Sequence, residues 1–467
     1  MSDTAIQIGL FDRALRRLTT VWRDMASTVS SDEDDSISAQ MRACLDARGG
    51  EVSARNRAAK LAQTYLGLDD EGRRAFLRDM ATFDSDPVVA DRAFAAVQAA
   101  AGPAERAMAQ VALRRALEPP RVRLLTQFTT IPDGMKFLVD LRATLLDLKG
   151  SDPWLAALES DLKSLLSNWF DVGFLELQRI DWNSPAVLLE RLVGYEAVHE
   201  IRSWSDLKNR LDSDRRCYAL FHHRMPNEPL IFVEVALVKG LSGSVQLLLD
   251  KKAPLLDPKV ADTAIFYSIS NCQRGLAGIS FGNFLIKRAV ELLSNEYRNI
   301  KMFSTLSPIP GFRRWLDAKL VEADPKLLSD EEAASLRTAA PVVGAAHETG
   351  AAALQAILGR RAWFRDAAML KAAEPVLMRL AARYLLAESR GNRAIDPVAH
   401  FHLSNGARVE RLMVLGDTSE KGAKESATLM ANYVYDPGKI EEYHEDYAGG
   451  GKRNASAAVK KLARGLN

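Results

Sequence analysis

The stretch 263-TAIFYSISNCQRGLAGISFGNFLIKRAVELLSNEYRNIKMFSTLSPIPGFRRWL-316 contains the pattern that decides the fold. Its first residues, 263–270, are rich in β-branched and aromatic side chains and predict a strand. Amphipathic residues at about 283–297 predict a helix, and the apolar run 301–306 predicts a second strand. A strand, a glycine-containing turn, a helix and a strand form a βαβ-type unit, so this region is predicted to be mixed α and β.

The regions before and after this unit divide the chain into two parts. The runs 216-RCYALFHH-223, 230-LIFVEVALV-238 and 430-MANYVY-435 predict further strands of the mixed part. By contrast, the chain up to about residue 168 places apolar residues three and four apart, as in 154-WLAALESDLKSLLSNWF-170. That spacing predicts an all-helical first domain.

Three features of the C-terminal part complete the predicted organisation. The Ala-rich region over about 325–395 is predicted to be a helical insertion. The segment 398-VAHFHLSNGARVERLMVLGD-417 carries the pair Asn405-Gly406 between alternating runs, which is typical of a β-hairpin. The glycines at 449–451 are predicted to form a flexible break before a final basic helix.

Composition indicates a globular protein of an ordinary kind. The 467 residues suggest two or three domains, and the formal net charge of +2 argues against binding nucleic acid through overall basic charge. Three cysteines, Cys44, Cys217 and Cys272, show no CxxC spacing and are too few for a disulfide framework. The N-terminus lacks a signal-peptide pattern, and no run approaches the ~18 apolar residues of a membrane span. We therefore expect a cytoplasmic protein without membrane or nucleic-acid partners.

The turn inside the βαβ-type unit is a candidate phosphate site. Gly275, Gly278 and Gly282 lie where the chain leaves a strand and enters a helix, whose first amides have no partners of their own and attract anions. Arg274 and Lys287 could add positive charge. The spacing matches neither a Walker loop nor a Rossmann fingerprint, so glycines that only permit close packing are an equal alternative.

Three motifs in this order resemble the malonyl-CoA decarboxylase family: QRGLAGISFGNFLIKRA at 273–289, LSPIPGFRRWL at 306–316 and PVAHFHLSNGARVERL at 397–412. The all-helical N-terminal domain predicted at 1–168 fits that family by type, and we expect it to serve oligomerisation. The resemblance implies a GNAT-like mixed α/β catalytic domain at 169–467 that carries the helical insertion. A homo-oligomer, either a dimer or a tetramer, is the expected assembly.

The family's activity, as the resemblance implies it, is decarboxylation of malonyl-CoA to acetyl-CoA and CO2 without a cofactor or a metal. In GNAT-type acetyltransferases the glycine loop holds the coenzyme A diphosphate against a helix N-terminus, and the loop here is slightly longer than their usual pattern. The substrate-binding residues that the resemblance implies are Ala277, Gly278, Ile279, Ser280, Phe281, Gly282 and Asn283.

Ser307 is the first candidate for the chemistry. Loss of CO2 leaves an electron pair that the thioester carbonyl accepts as an enolate, so the site must supply hydrogen-bond donors to oxygen and a proton to carbon. Ser307 follows the strand 301–306, and Pro308 and Pro310 restrict the backbone around it while Gly311 permits the turn. Taken alone, these residues favour a turn or a helix cap. In the resembled family the matching serine is the proposed proton acceptor.

His402 is the second candidate. His400 and His402 alternate in the predicted strand and would share one face, but no nearby cluster completes a zinc site around an HxH pair. The motif FHLSNGA places His402 on the family's catalytic histidine, a proton donor to the enolate carbon, for which a pKa in the neutral range is suitable. Structural or surface roles are expected for the other six histidines: His199, His222, His223, His347, His400 and His444.

Tyr435 is the third candidate, together with its neighbour Tyr433. The two alternate in MANYVY, and one of them could reach the site as a hydrogen-bond donor. The family match favours Tyr435, with core packing as an equal alternative. Two other functions stay open: a GNAT-type acyl-CoA-dependent acyltransferase, which needs an acceptor, and a non-catalytic acyl-CoA-binding sensor. An oriented serine paired with a histidine argues against the sensor.

Overall fold

The computed structural model describes residues 21–27, 36–46, 50–279, 281–322, 327–341 and 348–464. Of Asn283 only the backbone is described, and Ser280 and His347 lie outside the described residues. The chain divides into two compact units.

The first unit is helical. It comprises the chain up to Glu176 together with the segments Phe221–Leu230 and Asn271–Phe281. The α-helices described in it are α1 Ile37–Leu45, α2 Gly50–Leu66, α3 Asp70–Ala81, α4 Pro87–Ala99, α5 Pro103–Ala116, α6 Pro120–Gln127, α7 Gly134–Leu148 and α8 Pro153–Trp169. The predicted helical character of this region is confirmed, whereas the boundary at residue 168 and the role in oligomerisation stay predictions.

Most of these helices bury one apolar stripe, but α4 and α5 do not. Phe137 of α7 and Leu158 of α8 are buried in the core of the unit. Helices α4 and α5 pack against each other, and neither contains a buried residue. This hairpin therefore exposes large apolar side chains, among them Phe94 and Met108.

The second unit is built on a mixed sheet of eight strands. Seven of them follow the order β1-β2-β3-β4-β5-β10-β6, and β9 pairs with β10. The strands are β1 Leu175–Ile180, β2 Arg215–His222, β3 Ile231–Val238, β4 Thr263–Asn271, β5 Met302–Thr305, β6 Ser307–Pro308, β9 Arg408–Met413 and β10 Met430–Tyr435, while β7 Ser389–Arg390 and β8 Arg393–Ala394 form a separate pair. The strands predicted at 216–223, 230–238, 263–270, 301–306 and 430–435 are confirmed.

The βαβ-type unit is present, and its two strands separate at one end. β4 and β5 are parallel, with Thr263 opposite Met302 and Phe266 opposite Thr305. β4 continues to Asn271, whereas β5 ends at Thr305, so the last residues of β4 have no partner on β5. Ser307 comes directly after this separation and pairs with Ala431 of β10. The serine therefore lies at the point where the sheet opens.

Helices cover the sheet in the second unit. They are α9 Ala186–Tyr195, α10 Trp204–Arg210, α11 Val245–Leu248, α12 Gly282–Glu296, α13 Phe312–Val321, α14 Asp330–Ala339, α15 Gly350–Gly359, α16 Ala367–Leu386, α17 Pro397–Ser404, α18 Glu420–Ser426, α19 Ile440–Gly450 and α20 Ala457–Ala463. The predicted insertion is confirmed to be helical, and its helices are α14, α15 and α16. None of the described helices has the length and the apolar character needed to cross a membrane.

The predicted hairpin around Asn405 and Gly406 is wrong. The residues before the pair form helix α17, which Asp396 caps and which begins with Pro397 at its first position. Asn405 is the C-cap, and Gly406 has φ +79°, the left-handed conformation with which helices commonly end. A Cβ at Gly406 would overlap the Ile440 carbonyl. An Asn-Gly pair suits a helix end as well as a tight turn, and tertiary packing selected the helix.

The glycines at 449–451 are also placed differently from the prediction. Gly449 and Gly450 are the last two residues of α19, and only Gly451, with φ +66°, leaves the helix. A Cβ at Gly451 would overlap the Asn392 backbone, so this glycine is fixed by packing. The predicted final helix follows as α20.

Candidate active site

Ser307 and His402 lie within hydrogen-bond distance of each other in the second unit. Ser307 Oγ is 3.0 Å from His402 Nε2, although the two residues are 95 positions apart in the sequence. Ser307 is 6% exposed and His402 is 2% exposed. The structure therefore brings together the first two candidates from the sequence in a site that is nearly closed to bulk water.

Ser307 is held by its neighbours on the sheet. Its hydroxyl donates to Thr305 Oγ1 at 2.9 Å, and this threonine oxygen also accepts the Tyr433 N–H at 3.1 Å. After the serine, the N–H of Ile309, between the two prolines, donates to Ser426 Oγ at 3.2 Å. Two residues further on, the Gly311 N–H donates to Asp396. The Pro-x-Pro-Gly turn is thus tied down at both of its free amides.

His402 is oriented through both ring nitrogens. Helix α17 directs the ring toward β10, where the Tyr435 hydroxyl lies 2.8 Å from Nδ1. Tyr433 stacks on the imidazole, with ring centroids 4.5 Å apart and an interplanar angle of 27°. Tyr433 and Tyr435 are two positions apart on β10 and therefore lie on the same face, where both contact the histidine.

Burial determines the ionisation of this cluster. Desolvation lowers the pKa of His402 to about 3, so the imidazole is neutral at physiological pH. The expectation of a neutral-range pKa is therefore wrong, because it took no account of the cost of placing an imidazolium away from water. Burial also raises the pKa of Tyr435 well above its usual value, so its hydroxyl keeps its proton.

The other histidines described are not part of this cluster. Residues two apart on a helix point in different directions, so His400 points away from His402. The Nδ1 of His400 lies 2.8 Å from the Tyr447 hydroxyl. His400 and His402 therefore do not share a face as expected. Within the described residues no group of three or more His, Cys, Asp or Glu side chains could hold a metal ion.

The glycine loop up to Phe281 is part of the helical unit, which the sequence did not indicate, whereas Gly282 begins α12 of the second unit. The Gly275 carbonyl accepts a hydrogen bond from the buried Arg142 at 2.6 Å, and a Cβ at Gly275 would overlap the Val139 carbonyl. Gly275 therefore has the packing role that was kept as an alternative. Gly278 differs, since it has φ +75° and is exposed. Ala277 is also exposed, whereas Phe281 is buried.

The cations near this loop are not those expected from the sequence. Arg274 pairs with Asp147 in the helical unit, and Lys287 pairs with Glu441 at 2.7 Å in the second unit. Lys163 of α8 instead approaches the loop, with its Nζ 3.4 Å from where a Cβ on Gly278 would lie. In the described part of the chain no ion pair involves Lys163. No sequence signal links a residue on α8 to a loop more than 100 positions later.

Sequence reasoning also missed two side chains near Ser307. Thr305, whose Oγ1 accepts the serine hydroxyl, lies in a strand-forming run that carries no sign of a role in the site. Asp396 was not considered, although its position directly before Pro397 is a typical helix start. That signal could have identified α17 and corrected the predicted hairpin.

Two family models match the chain. The model described as the malonyl-CoA decarboxylase N-terminal domain matches residues 83–170, and the model of the C-terminal domain of the same family matches residues 173–467. The mitochondrial malonyl-CoA decarboxylase of Anser anser anser is 37% identical over 395 residues, which are 82% of this chain and 78% of that protein. The Mus musculus protein of the same name is 38% identical over 337 residues, 69% of this chain and 67% of that protein.

Solved structures show the same similarity. The crystal structure of malonyl-CoA decarboxylase from Rhodopseudomonas palustris has 42% sequence identity and a TM-score of 0.81, covering 91% of this chain and 98% of that chain. The crystal structure of the Agrobacterium vitis protein of the same name has 40% identity and a TM-score of 0.80, covering 91% of this chain and 99% of that chain.

Proposed function

The chain belongs to the malonyl-CoA decarboxylase family, and from this premise we propose that it converts malonyl-CoA to acetyl-CoA and CO2 with Ser307 and His402 as reacting side chains. The observation that carries the proposal is the 3.0 Å contact between Ser307 Oγ and His402 Nε2 in a buried site. Tyr435, on the other ring nitrogen, completes the arrangement. A chain that only binds an acyl-CoA has no need for a buried histidine oriented at both nitrogens.

The reaction needs few groups from the protein. The bond between the carboxylate and the neighbouring carbon breaks, and its electron pair moves toward the thioester carbonyl to give an enolate. A proton then adds to the carbon and yields acetyl-CoA. The site must hold the substrate carboxylate away from bulk water, stabilise the enolate oxygen and deliver that proton. We assign the first two tasks to Ser307, whose hydroxyl turns from Thr305 to the substrate when the substrate binds, and the third to His402.

The hydrogen bonds support a proton on His402 Nε2. Burial raises the pKa of Tyr435, so its hydroxyl keeps its proton, and we assign that proton to the hydrogen bond with Nδ1, which places the proton of the neutral ring on Nε2. Ser307 agrees with this direction, since its hydroxyl donates to Thr305 and therefore accepts from Nε2. The direction is the reverse of that in serine hydrolases, where the serine donates to the histidine.

Proton delivery follows from this arrangement. When the enolate forms, the Nε2 proton moves to carbon while the Tyr435 proton shifts to Nδ1, so the ring does not become an anion. Nε2 then takes up a proton from water while the Nδ1 proton returns to Tyr435, so the starting tautomer is restored. The low pKa of His402 suits this role, because the neutral ring and not the imidazolium is the donor.

The glycine loop is the proposed binding site for the coenzyme A diphosphate, with the residues that the family match supplies at 277–283. The exposed backbone at Ala277 and Gly278 supports this part of the proposal. Lys163 adds a cation next to Gly278 that no described carboxylate neutralises. A compact ammonium beside an exposed glycine is a suitable partner for a phosphate group.

We also propose that the chain forms a homo-oligomer. The hairpin of α4 and α5 supports this, because Phe94, Met108 and Leu117 are 53%, 76% and 53% exposed. Large apolar side chains exposed in one region are typical of protein interfaces.

The decisive experiment incubates the purified protein with malonyl-CoA and no acceptor, and measures headspace CO2 and acetyl-CoA. We expect both products from the wild type. Ser307→Ala and His402→Asn should lose most of the turnover while malonyl-CoA still binds in a calorimetric titration. A wild type that releases no CO2 would contradict the proposed function, and full activity in both variants would contradict the assigned roles.

A further inference from the structure

We propose that Asp396 is a positioning residue whose two carboxylate oxygens hold the Ser307 turn against the His402 helix, and so set the geometry of the reacting pair. This inference rests on the proposed function. No hydrogen bond in the described part of the chain joins the Asp396 side chain to Ser307 or His402; it acts through the backbone of the two segments that carry them.

The two oxygens of Asp396 have different partners. Oδ1 accepts the N–H groups of Val398 and Ala399, at 3.0 and 2.9 Å, and caps helix α17. Oδ2 accepts the Gly311 N–H at 3.3 Å, which belongs to the turn after Ser307. The Tyr384 hydroxyl also lies near the carboxylate, next to Gly311. One side chain therefore joins two segments that lie 85 positions apart in the sequence.

A helix cap alone does not need this arrangement. Asp366 caps α16 with one oxygen, which accepts the N–H groups of Ala368 and Met369, and that geometry closely matches the cap at Asp396. Asp366 is part-exposed, whereas Asp396 is 0% exposed. In the described part of the chain no ion pair involves Asp396. Burying a carboxylate without a cation is costly, and the hydrogen bonds to both oxygens offset that cost.

The connection to the reacting atoms is short on both sides. Gly311 follows Ser307 by four residues, and the prolines at 308 and 310 leave little freedom between them. His402 follows Asp396 by six residues within one helix, so the imidazole moves with the capped end. Gly311 is also restricted, since a Cβ there would overlap the Tyr384 hydroxyl. Any shift at Asp396 therefore changes the distance between Ser307 Oγ and His402 Nε2.

The variant Asp396→Asn separates the two functions of the side chain. An asparagine is as good an N-cap as an aspartate, so its amide oxygen keeps the cap. Its NH2 group replaces Oδ2 and cannot accept the Gly311 N–H. We expect kcat for CO2 release to fall about 10- to 100-fold, because small misplacements of reacting groups cost this much. KM for malonyl-CoA should change less than twofold.

The matched control is Asp366→Asn, which makes the same chemical change at a cap of the same geometry far from the reacting residues. It should keep wild-type kcat. Both variants should stay folded at the assay temperature, as their melting curves would show, so that the loss in Asp396→Asn is not a loss of folding.

The dependence of kcat on pH is a second measurement, and a purely structural role of Asp396 would not change it. Burial raises the pKa of Asp396 to about 6. The ionisable groups that face it are Tyr384 on α16, with Arg314 of α13 beyond it, and Tyr433 on β10. Protonation below pH 6 turns Oδ2 into a donor, as the amide does. Wild-type kcat should therefore fall as pH drops through about 6, and Asp396→Asn should lack this decrease.

Each outcome decides the question. If the wild type releases no CO2, the premise fails and the inference falls with it. If the wild type is active, then wild-type kcat in Asp396→Asn overturns the inference alone. Should Asp396→Asn fail to fold, the wild-type profile is decisive, because a kcat that stays constant through pH 6 would overturn it too.

Discussion

The Ser307–His402–Tyr435 cluster and the glycine loop of the helical unit differ in burial and in charge. The cluster is buried and holds no charged side chain, since the low pKa of His402 keeps the ring neutral. The loop exposes Ala277 and Gly278 and lies next to the ammonium of Lys163. Hydrogen bonds between neutral groups away from water are strong and insensitive to salt, whereas exposed charges are screened.

Because of this difference, we expect substitutions in the two regions to change different kinetic constants, kcat or KM. Changes in the buried cluster should act on kcat, because they alter groups that touch the reacting atoms. Changes near the loop should act on KM and should depend on ionic strength. The following predictions test that separation, beginning with the largest expected effect.

Tyr435→Phe should lower kcat about 10- to 100-fold, since loss of the phenol removes the donor that fixes the His402 tautomer. KM should stay close to the wild-type value. Steady-state CO2 release measures both constants.

Tyr433→Phe is the matched control for that experiment. The Tyr433 hydroxyl is buried without a hydrogen-bond partner in the described part of the structure, and its ring stacks on the same histidine. Removing this hydroxyl should leave kcat within about twofold, because an unpaired buried polar group contributes nothing that is lost. Equal losses in the two variants would show that the stacked rings, rather than the Tyr435 hydroxyl, orient His402.

Lys163→Met should raise KM for malonyl-CoA about 5- to 10-fold at low salt, which is a typical contribution for one partly exposed charge contact. The increase should shrink as ionic strength rises, because salt already weakens the wild-type contact. Lys163→Arg should retain most of the affinity. A KM that is unchanged at every salt concentration would place the diphosphate elsewhere.

The double variant Phe94→Ser, Met108→Ser should leave kcat and KM unchanged and lower the assembly mass measured by light scattering. Both side chains lie on the exposed hairpin of α4 and α5, which contributes no residue to the loop or to the cluster. A monomeric wild type would contradict the proposed homo-oligomer.

Much of the fold could be predicted from the sequence. The helical first region, five strands of the sheet and helix α12 follow from local periodicity, because apolar residues recur at a different spacing in a strand and in an amphipathic helix. The position of Ser307 directly after a strand end was also available locally. The prediction failed at 397–406, where an Asp-Pro helix start and an Asn-Gly helix end were interpreted as parts of a hairpin.

The candidate site was less accessible to sequence reasoning. His402 and Tyr435 were named through resemblance to a family, and periodicity alone left them equal to several other histidines and tyrosines. Sequence reasoning missed Thr305, Asp396 and Lys163. Each is near its partner only in the folded chain, and no local pattern shows that contact.

What the sequence by itself determined is the helical first region, five strands of the sheet, the placement of Ser307 just after a strand end and the family of the chain. Only the tertiary structure decided that His402 is carried by a helix, that its pKa falls to about 3 and that its ring lies between Ser307 and Tyr435. Backbone preference is a property of neighbouring residues, whereas desolvation and hydrogen-bond partners depend on segments that meet only after folding.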